Sequence, residues 1–273
     1  MLRICTVIVV LLLAPSLYAG VKSEPFEYKA GEKNFKGAFY YQTKATQKLP
    51  GIIFLHDYQG LDKISKQRAQ ELAKLGYAVL AADLYGDGKT YTDKETISRN
   101  VQSYVDGTPE ILERLKALRE AFIKHGNVDP KRFAVVGYGF GGSVAMTMGR
   151  YNLGGSGVIS IAGMVYSPLL KSLHTDSSYI AMIGNKDRLN NASKIEIFKR
   201  EMQSAGNEFE VITYDDATHA FANPRAKQLA KMLNMDIAYN KDADKKSWQD
   251  LQKYLTKFFS KSGKETMAQK AAE

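Results

Sequence analysis

The sequence predicts an α/β fold, a mostly parallel eight-stranded sheet with helices on both faces. Two observations predict it. Apolar runs of strand length alternate with helical periodicity through most of the 273 residues, as in chains built from βαβ units. Most of those runs are unbroken Val, Ile, Leu, Ala and Phe, the composition of strands covered on both faces. No repeat or interdomain linker interrupts the pattern, so one domain over residues 20–260 is expected.

The first nineteen residues stand apart. Arg3 precedes an apolar run that ends near Leu13, followed by Ala14-Pro15-Ser16-Leu17-Tyr18-Ala19-Gly20. A run of about ten residues is short of the roughly 20 that span a bilayer, and a secretory signal cut after Ala19 is expected. Leu17 stands where a small residue is usual, so an uncleaved anchor is the other reading. Export, to the periplasm or outside, follows, with no stable membrane insertion after cleavage. The cut also removes Cys5, the sole cysteine, leaving no thiol for catalysis, disulfides or a Cys-based metal site.

Strands are then expected as a hairpin, Phe26–Tyr28 with Phe35–Tyr41, and at Gly51–Leu55, Tyr77–Ala82, Phe133–Val136, Val158–Ile161, Tyr179–Ile183 and Phe209–Thr213. Thr108-Pro109 opens a helix on which Ile111, Leu115, Leu118 and Phe122 recur at helical spacing before Gly126 ends it. Asn191 fits a helix N-cap better than a glycosylation acceptor. The last helix carries Trp248, Leu251, Leu255, Phe258 and Phe259 on one stripe, a core-facing side. The polar segment from Gly86 to Gly107 is long enough to fold over a site as a lid, and residues 261–273 read as a disordered tail.

Charge adds little. The balance of 38 basic and 29 acidic residues gives +9, and ten basic against four acidic residues fall between Arg225 and Lys264. These read as solvated helix faces, with no run interleaving basic and aromatic residues that would mark nucleic acid as a partner. His125 and His174 have no ligand spacing to other His, Asp or Glu, so no metal is assigned.

Three segments carry chemistry. Gly137-Tyr138-Gly139-Phe140-Gly141-Gly142-Ser143 follows a strand and opens a helix, the setting of the nucleophile elbow in α/β-hydrolases. Gly184-Asn185-Lys186-Asp187 follows the seventh strand and Asp215-Asp216-Ala217-Thr218-His219 the eighth, which are the places of the acid and the base. The middle of the elbow, however, is Gly139, which has no side chain to attack with.

The resemblance then becomes specific. LHDYQGL at 55–61, ADLYGDGK at 82–89, VDP at 128–130, GYGFGG at 137–142, HAFANP at 219–224 and YNKDADKKSW at 239–248 together resemble the dienelactone hydrolase family over nearly the whole mature chain. The resemblance implies hydrolysis of a small ester or lactone with no metal or organic cofactor, using a Cys-His-Asp triad. It assigns His219 as base and Asp187 as its orienting acid. The N–H groups of Tyr58 and Phe140 would form the oxyanion hole. Asp57 stands where many members have a glutamate that restrains the thiol, and Gly139 where they have the cysteine. Asp87 and Asn223 fall at the equivalents of arginines that hold a substrate carboxylate, which argues against dienelactone itself. Three substitutes for the thiol are open: water activated by His219, Ser143 in a shifted frame although it should point into packing, or an acceptor supplied by a partner. The function expected is an ester or lactone hydrolase scaffold of low or altered activity; the alternative is a non-catalytic protein that binds a small acyl or aromatic ligand.

Overall fold

A computed structural model describes residues 20–105, 108–167 and 171–270. The expected signal segment lies outside the described residues. Eight strands form one sheet: β1 (Val21–Ala30), β2 (Lys33–Gln42), β3 (Leu49–Leu55), β4 (Ala78–Ala82), β5 (Val128–Tyr138), β6 (Gly157–Ile161), β7 (Ser178–Gly184) and β8 (Phe209–Tyr214). Their spatial order is β1-β2-β4-β3-β5-β6-β7-β8. The β1–β2 hairpin is antiparallel, as is the β2–β4 pair, and β4 through β8 run parallel. All eight expected strands are present, each within a few residues of its expected limits.

Alternation along the strands divides the core into two layers. Ile52 and Phe54 of β3 and Ala134 and Val136 of β5 face one side, where α1 (Lys63–Lys74) and α7 (Lys241–Lys270) supply Leu72, Leu251, Leu255 and Phe258. Ile53 and Leu55, with Phe133 and Val135, face the other, against α3 (Pro109–Ile123), α4 (Phe140–Arg150) and α5 (Ala192–Ser204). Two further helices, α2 (Lys94–Val105) and α6 (Ala226–Leu233), also pack on this second side.

Local chemistry explains the helix starts. Thr108 accepts the Ile111 N–H ahead of Pro109 at α3, and Asn191 accepts the Lys194 N–H at α5 at 3.1 Å, each satisfying a donor with no intrahelical partner. At the other end of the chain, α7 continues past Ser260 to Lys270. The expectation of a disordered tail thus meets helical backbone over residues 261–270, a stretch rich in Lys, Glu, Met and Ala, which favour helix; residues 271–273 are outside the described residues.

One buried ion pair fixes the far end of α4. The Arg150 side chain, 2% exposed, forks onto Glu201 of α5 with Nε and Nη2 each 2.8 Å from a carboxylate oxygen. It also donates to the Val165 carbonyl at 2.7 Å, so it ties the segment after β6 to both helices. Replacing Arg150 with alanine leaves Glu201 without its cation in a largely buried setting, and a loss of about 3–5 kcal/mol is expected. Urea unfolding checks this: the midpoint should fall with the slope unchanged.

Candidate active site

The carboxyl ends of the parallel strands bring the motifs together, as open α/β sheets do. β5 ends at Tyr138 and α4 starts at Phe140, so Gly139 alone makes the turn, with φ 52° and ψ −118°. A side chain held there costs of order 1–3 kcal/mol, which glycine avoids. Two residues on, Gly141 presses against the end of β3: an added Cβ would lie 2.3 Å from the Leu55 carbonyl oxygen. That close approach sets the start of α4 beside the turn that carries Asp57 and Tyr58.

Asp187 and His219, the expected acid and base, are brought into contact. His219 Nδ1 lies 3.0 Å from Asp187 Oδ2, which makes Nδ1–H the donor and leaves Nε2 for the cleft. Asp187 is fully buried in its side chain and is held by three further donors. Leu189 N–H and Asn190 N–H reach Oδ1 at 2.8 and 3.2 Å, and Asn190 Nδ2 reaches Oδ2 at 2.9 Å. Burial pushes this carboxyl up, but the His219 and Asn190 bonds outweigh it and hold the group below its ordinary value.

The nucleophile's place is filled. An ideal Cβ on Gly139 would sit 2.2 Å from Asp57 Oδ1 and 2.9 Å from Oδ2. Oδ1 also accepts both expected oxyanion donors, Tyr58 N–H at 2.7 Å and Phe140 N–H at 3.0 Å. Asn223 Nδ2 donates to Oδ2 at 2.7 Å. The space beside Gly139 is therefore taken by the Asp57 carboxylate, because the paired N–H groups at the helix start need an anionic acceptor and Asp57 provides it. Burial raises the Asp57 carboxyl above its ordinary value, against the pull of those same N–H groups and Asn223.

A model of the dienelactone hydrolase family matches residues 36–259. The chain belongs to the dienelactone hydrolase family. Relatives in Yersinia pestis and Salmonella typhimurium, both provisionally named carboxymethylenebutenolidase, are 24% and 21% identical over 63% and 83% of this chain and 68% and 84% of their own lengths. Among solved structures, a dienelactone hydrolase-like promiscuous phosphotriesterase from metagenomic libraries superimposes with a TM-score of 0.77 at 22% identity, covering 88% of this chain and 99% of its own. The protein named m3DLH gives 0.79 at 24%, with the same coverage. These establish the α/β-hydrolase fold.

Within this dienelactone hydrolase fold, the site opens on an apolar cavity of about 140 Å³ lined by Asp57, Gly139, His219, Ile97, Met164 and Leu233, among others. Ile97, Ser98 and Val101 come from α2, so the helical part of the segment expected as a lid, Lys94–Val105, lines the site. Ser143 also lines the cavity, and its Oγ accepts the Met164 N–H at 2.9 Å; the expectation that it points into packing is corrected. Asp87, half-exposed in its side chain, pairs with Lys89 at 3.4 Å and is not among the cavity-lining residues. Sequence reasoning missed Asn190, whose Oδ1 accepts the Val165 N–H while Nδ2 also holds the Gly163 carbonyl. Its spacing three residues after Asp187 was the available signal. Among the described residues, no cluster of three or more His, Cys, Asp or Glu could hold a metal ion.

His56 has a structural role. It is fully buried, with Nδ1 2.8 Å from the Asp57 carbonyl and Nε2 accepting the Leu84 N–H at 3.1 Å. Burial pushes its imidazole down to about 4, against the pull of the Asp57 carbonyl and the Asp83 charge. An unfolded histidine titrates near 6.5, so between these values the unfolded chain takes up a proton that the folded chain refuses. The stability contributed is complete above about pH 6.5 and is lost as pH falls toward 4, on the order of 3 kcal/mol. Urea midpoints at pH 7 and 4.5 should drop more steeply for the parent than for His56→Gln; parallel slopes would show that another group governs acid stability.

Proposed function

We propose that the chain is an exported carboxylic-ester or lactone hydrolase scaffold with low activity toward carbonyl substrates. The observation that carries this reading is the intact Asp187–His219 pair facing an elbow that offers no nucleophile, with the oxyanion donors occupied by Asp57. Losing the nucleophile of such a triad costs on the order of 10⁶ in turnover, while an oxyanion hole and binding retain roughly 10³–10⁴ over water. Attack at a carbonyl carbon then falls to water. His219 takes the water's proton at Nε2, and the Tyr58 and Phe140 N–H groups receive the oxyanion once Asp57 releases them.

The cavity sets the substrate class as a small ester or lactone with an apolar acyl part. The relatives' names support lactone chemistry. The basic and then apolar segment ending at Ala19 supports export. A second reading, a ligand-binding protein without turnover, is favoured by the pairing of both hole donors within the resting protein, which leaves them nothing to offer a substrate carbonyl.

Hydrolysis of p-nitrophenyl acetate separates the two. Asp57→Ala frees both N–H groups and should raise kcat/KM about tenfold or more, and adding His219→Ala to it should remove about 100-fold. Gly139→Cys alone meets the Asp57 carboxylate and should gain little, whereas Gly139→Cys with Asp57→Ala should gain most. Equal rates for all four proteins and the parent would leave the ligand-binding reading. A stable acetyl adduct on Ser143 would place the nucleophile there instead.

A further inference from the structure

The carbonyl chemistry above has no use for Asp57, yet Asp57 holds the centre of the site. Its Oδ1 rests in the oxyanion hole, and its carboxylate stands where a nucleophile on the elbow would stand. Each group bonded to it is a donor, so it is bound as an acceptor anion. Asp57 and His219 line the same apolar cavity, and His219 lies near enough for its charge to act on the Asp57 carboxyl.

We propose that Asp57 is itself a nucleophile, and that the chain hydrolyses small apolar substrates bearing a leaving group on saturated carbon, such as alkyl halides, through an Asp57 ester. In the first step Oδ2 attacks the carbon, the new C–O bond forms as the carbon–halogen bond breaks, and the halide leaves with that bond's electron pair. The Asn223 Nδ2 bond to Oδ2 is given up as the oxygen loses its charge. In the second step His219 Nε2 takes a proton from water, and the hydroxide adds to Cγ of the ester. The charge then develops on Oδ1, already 2.7 and 3.0 Å from the two N–H donors. Collapse breaks the bond from Cγ to the alkyl oxygen, and the alkoxide takes the proton from His219. The sum is an alkyl halide and water giving an alcohol, a halide and a proton.

The geometry separates this chemistry from ester hydrolysis. A carbonyl substrate needs the two N–H groups for its own oxyanion, and Oδ1 holds them. Displacement at saturated carbon places no charge on a substrate oxygen and needs them only in the second step, for Oδ1 itself. The proposal goes beyond the ester-hydrolase reading, and Asp57→Ala moves the two activities in opposite directions.

The test uses 1-bromobutane with the full mature chain. The parent should release bromide and butanol, and Asp57→Asn and Asp57→Ala, shown folded by circular dichroism and melting temperature, should lose this on the order of 10³-fold or more. His219→Gln should form the ester and fail to hydrolyse it, so peptide mapping should find a near-stoichiometric butyl group on Asp57. In a single turnover of the parent in ¹⁸O water, the label should enter the Asp57 carboxylate and not the butanol. An unmodified Asp57 in His219→Gln, or label appearing directly in the first butanol formed, would overturn the proposal. So would bromide release equal in the parent and the Asp57 variants. Each of these outcomes leaves the p-nitrophenyl acetate result untouched, so the two readings fail separately.

Discussion

The hydrogen bonds from Tyr58 N–H and Phe140 N–H to one oxygen of Asp57 are the constraint on which the site depends. They join the turn after β3 to the first residue of α4, and Asn223 adds the loop after His219 to the same carboxylate. Each N–H would cost about 1–3 kcal/mol if buried without an acceptor. A carboxylate at a helix N-terminus also meets the positive end of the helix dipole. Three loops are thereby held around one anion, and the cavity beyond it takes its shape from where they stop.

That arrangement is possible because residue 139 is glycine. With any side chain there, Cβ would fall inside the Asp57 carboxylate, so the elbow residue and Asp57 compete for one position. Glycine also removes the strain of φ 52° in a non-glycine residue. Stability and resting geometry therefore both favour the chain as it is. The His219–Asp187 pair is retained at full geometry beside it, with Asp187 buried and four hydrogen-bonded contacts made to its two oxygens.

Much of this was legible in the sequence, for a physical reason. Strands such as Ile52–Leu55 and Val135–Val136 are buried on both faces and read as apolar runs, while Thr108 and Asn191 mark helix starts through side-chain bonds to neighbours in the chain. His219 and Asp187 were legible because each follows a strand whose end the topology fixes. The seat of Asp57 was not, since it depends on Asn223, 166 residues away, and on the volume that a missing Cβ leaves open. Ser143 was misread for a similar reason: a serine on the first turn of a helix faces either packing or cleft according to the loop opposite, here Met164. Local spacing carries no information about such meetings.

The charge around the cleft follows from the same anchoring and limits what can enter. His219 stands between two carboxylates, Asp187 at 3.0 Å and Asp57 across the cavity they share. Two arginines line a second pocket that shares Asp57, Tyr58 and Gly139: Arg225 pairs with Asp62, and Arg68 binds Asp244 at 2.7 Å while lying over the Tyr138 ring. At the Asn223 position, where the family resemblance implies an arginine for a substrate carboxylate, the side chain instead donates to Asp57. An anionic substrate would enter an apolar pocket against the Asp57 charge, with no Arg or Lys among the described residues that line it, and burying an unpaired carboxylate there is costly. A neutral substrate meets neither penalty. An amide at residue 223 thus holds Asp57 against the two N–H donors, where the resemblance implies a cation that would offer its charge to a substrate carboxylate.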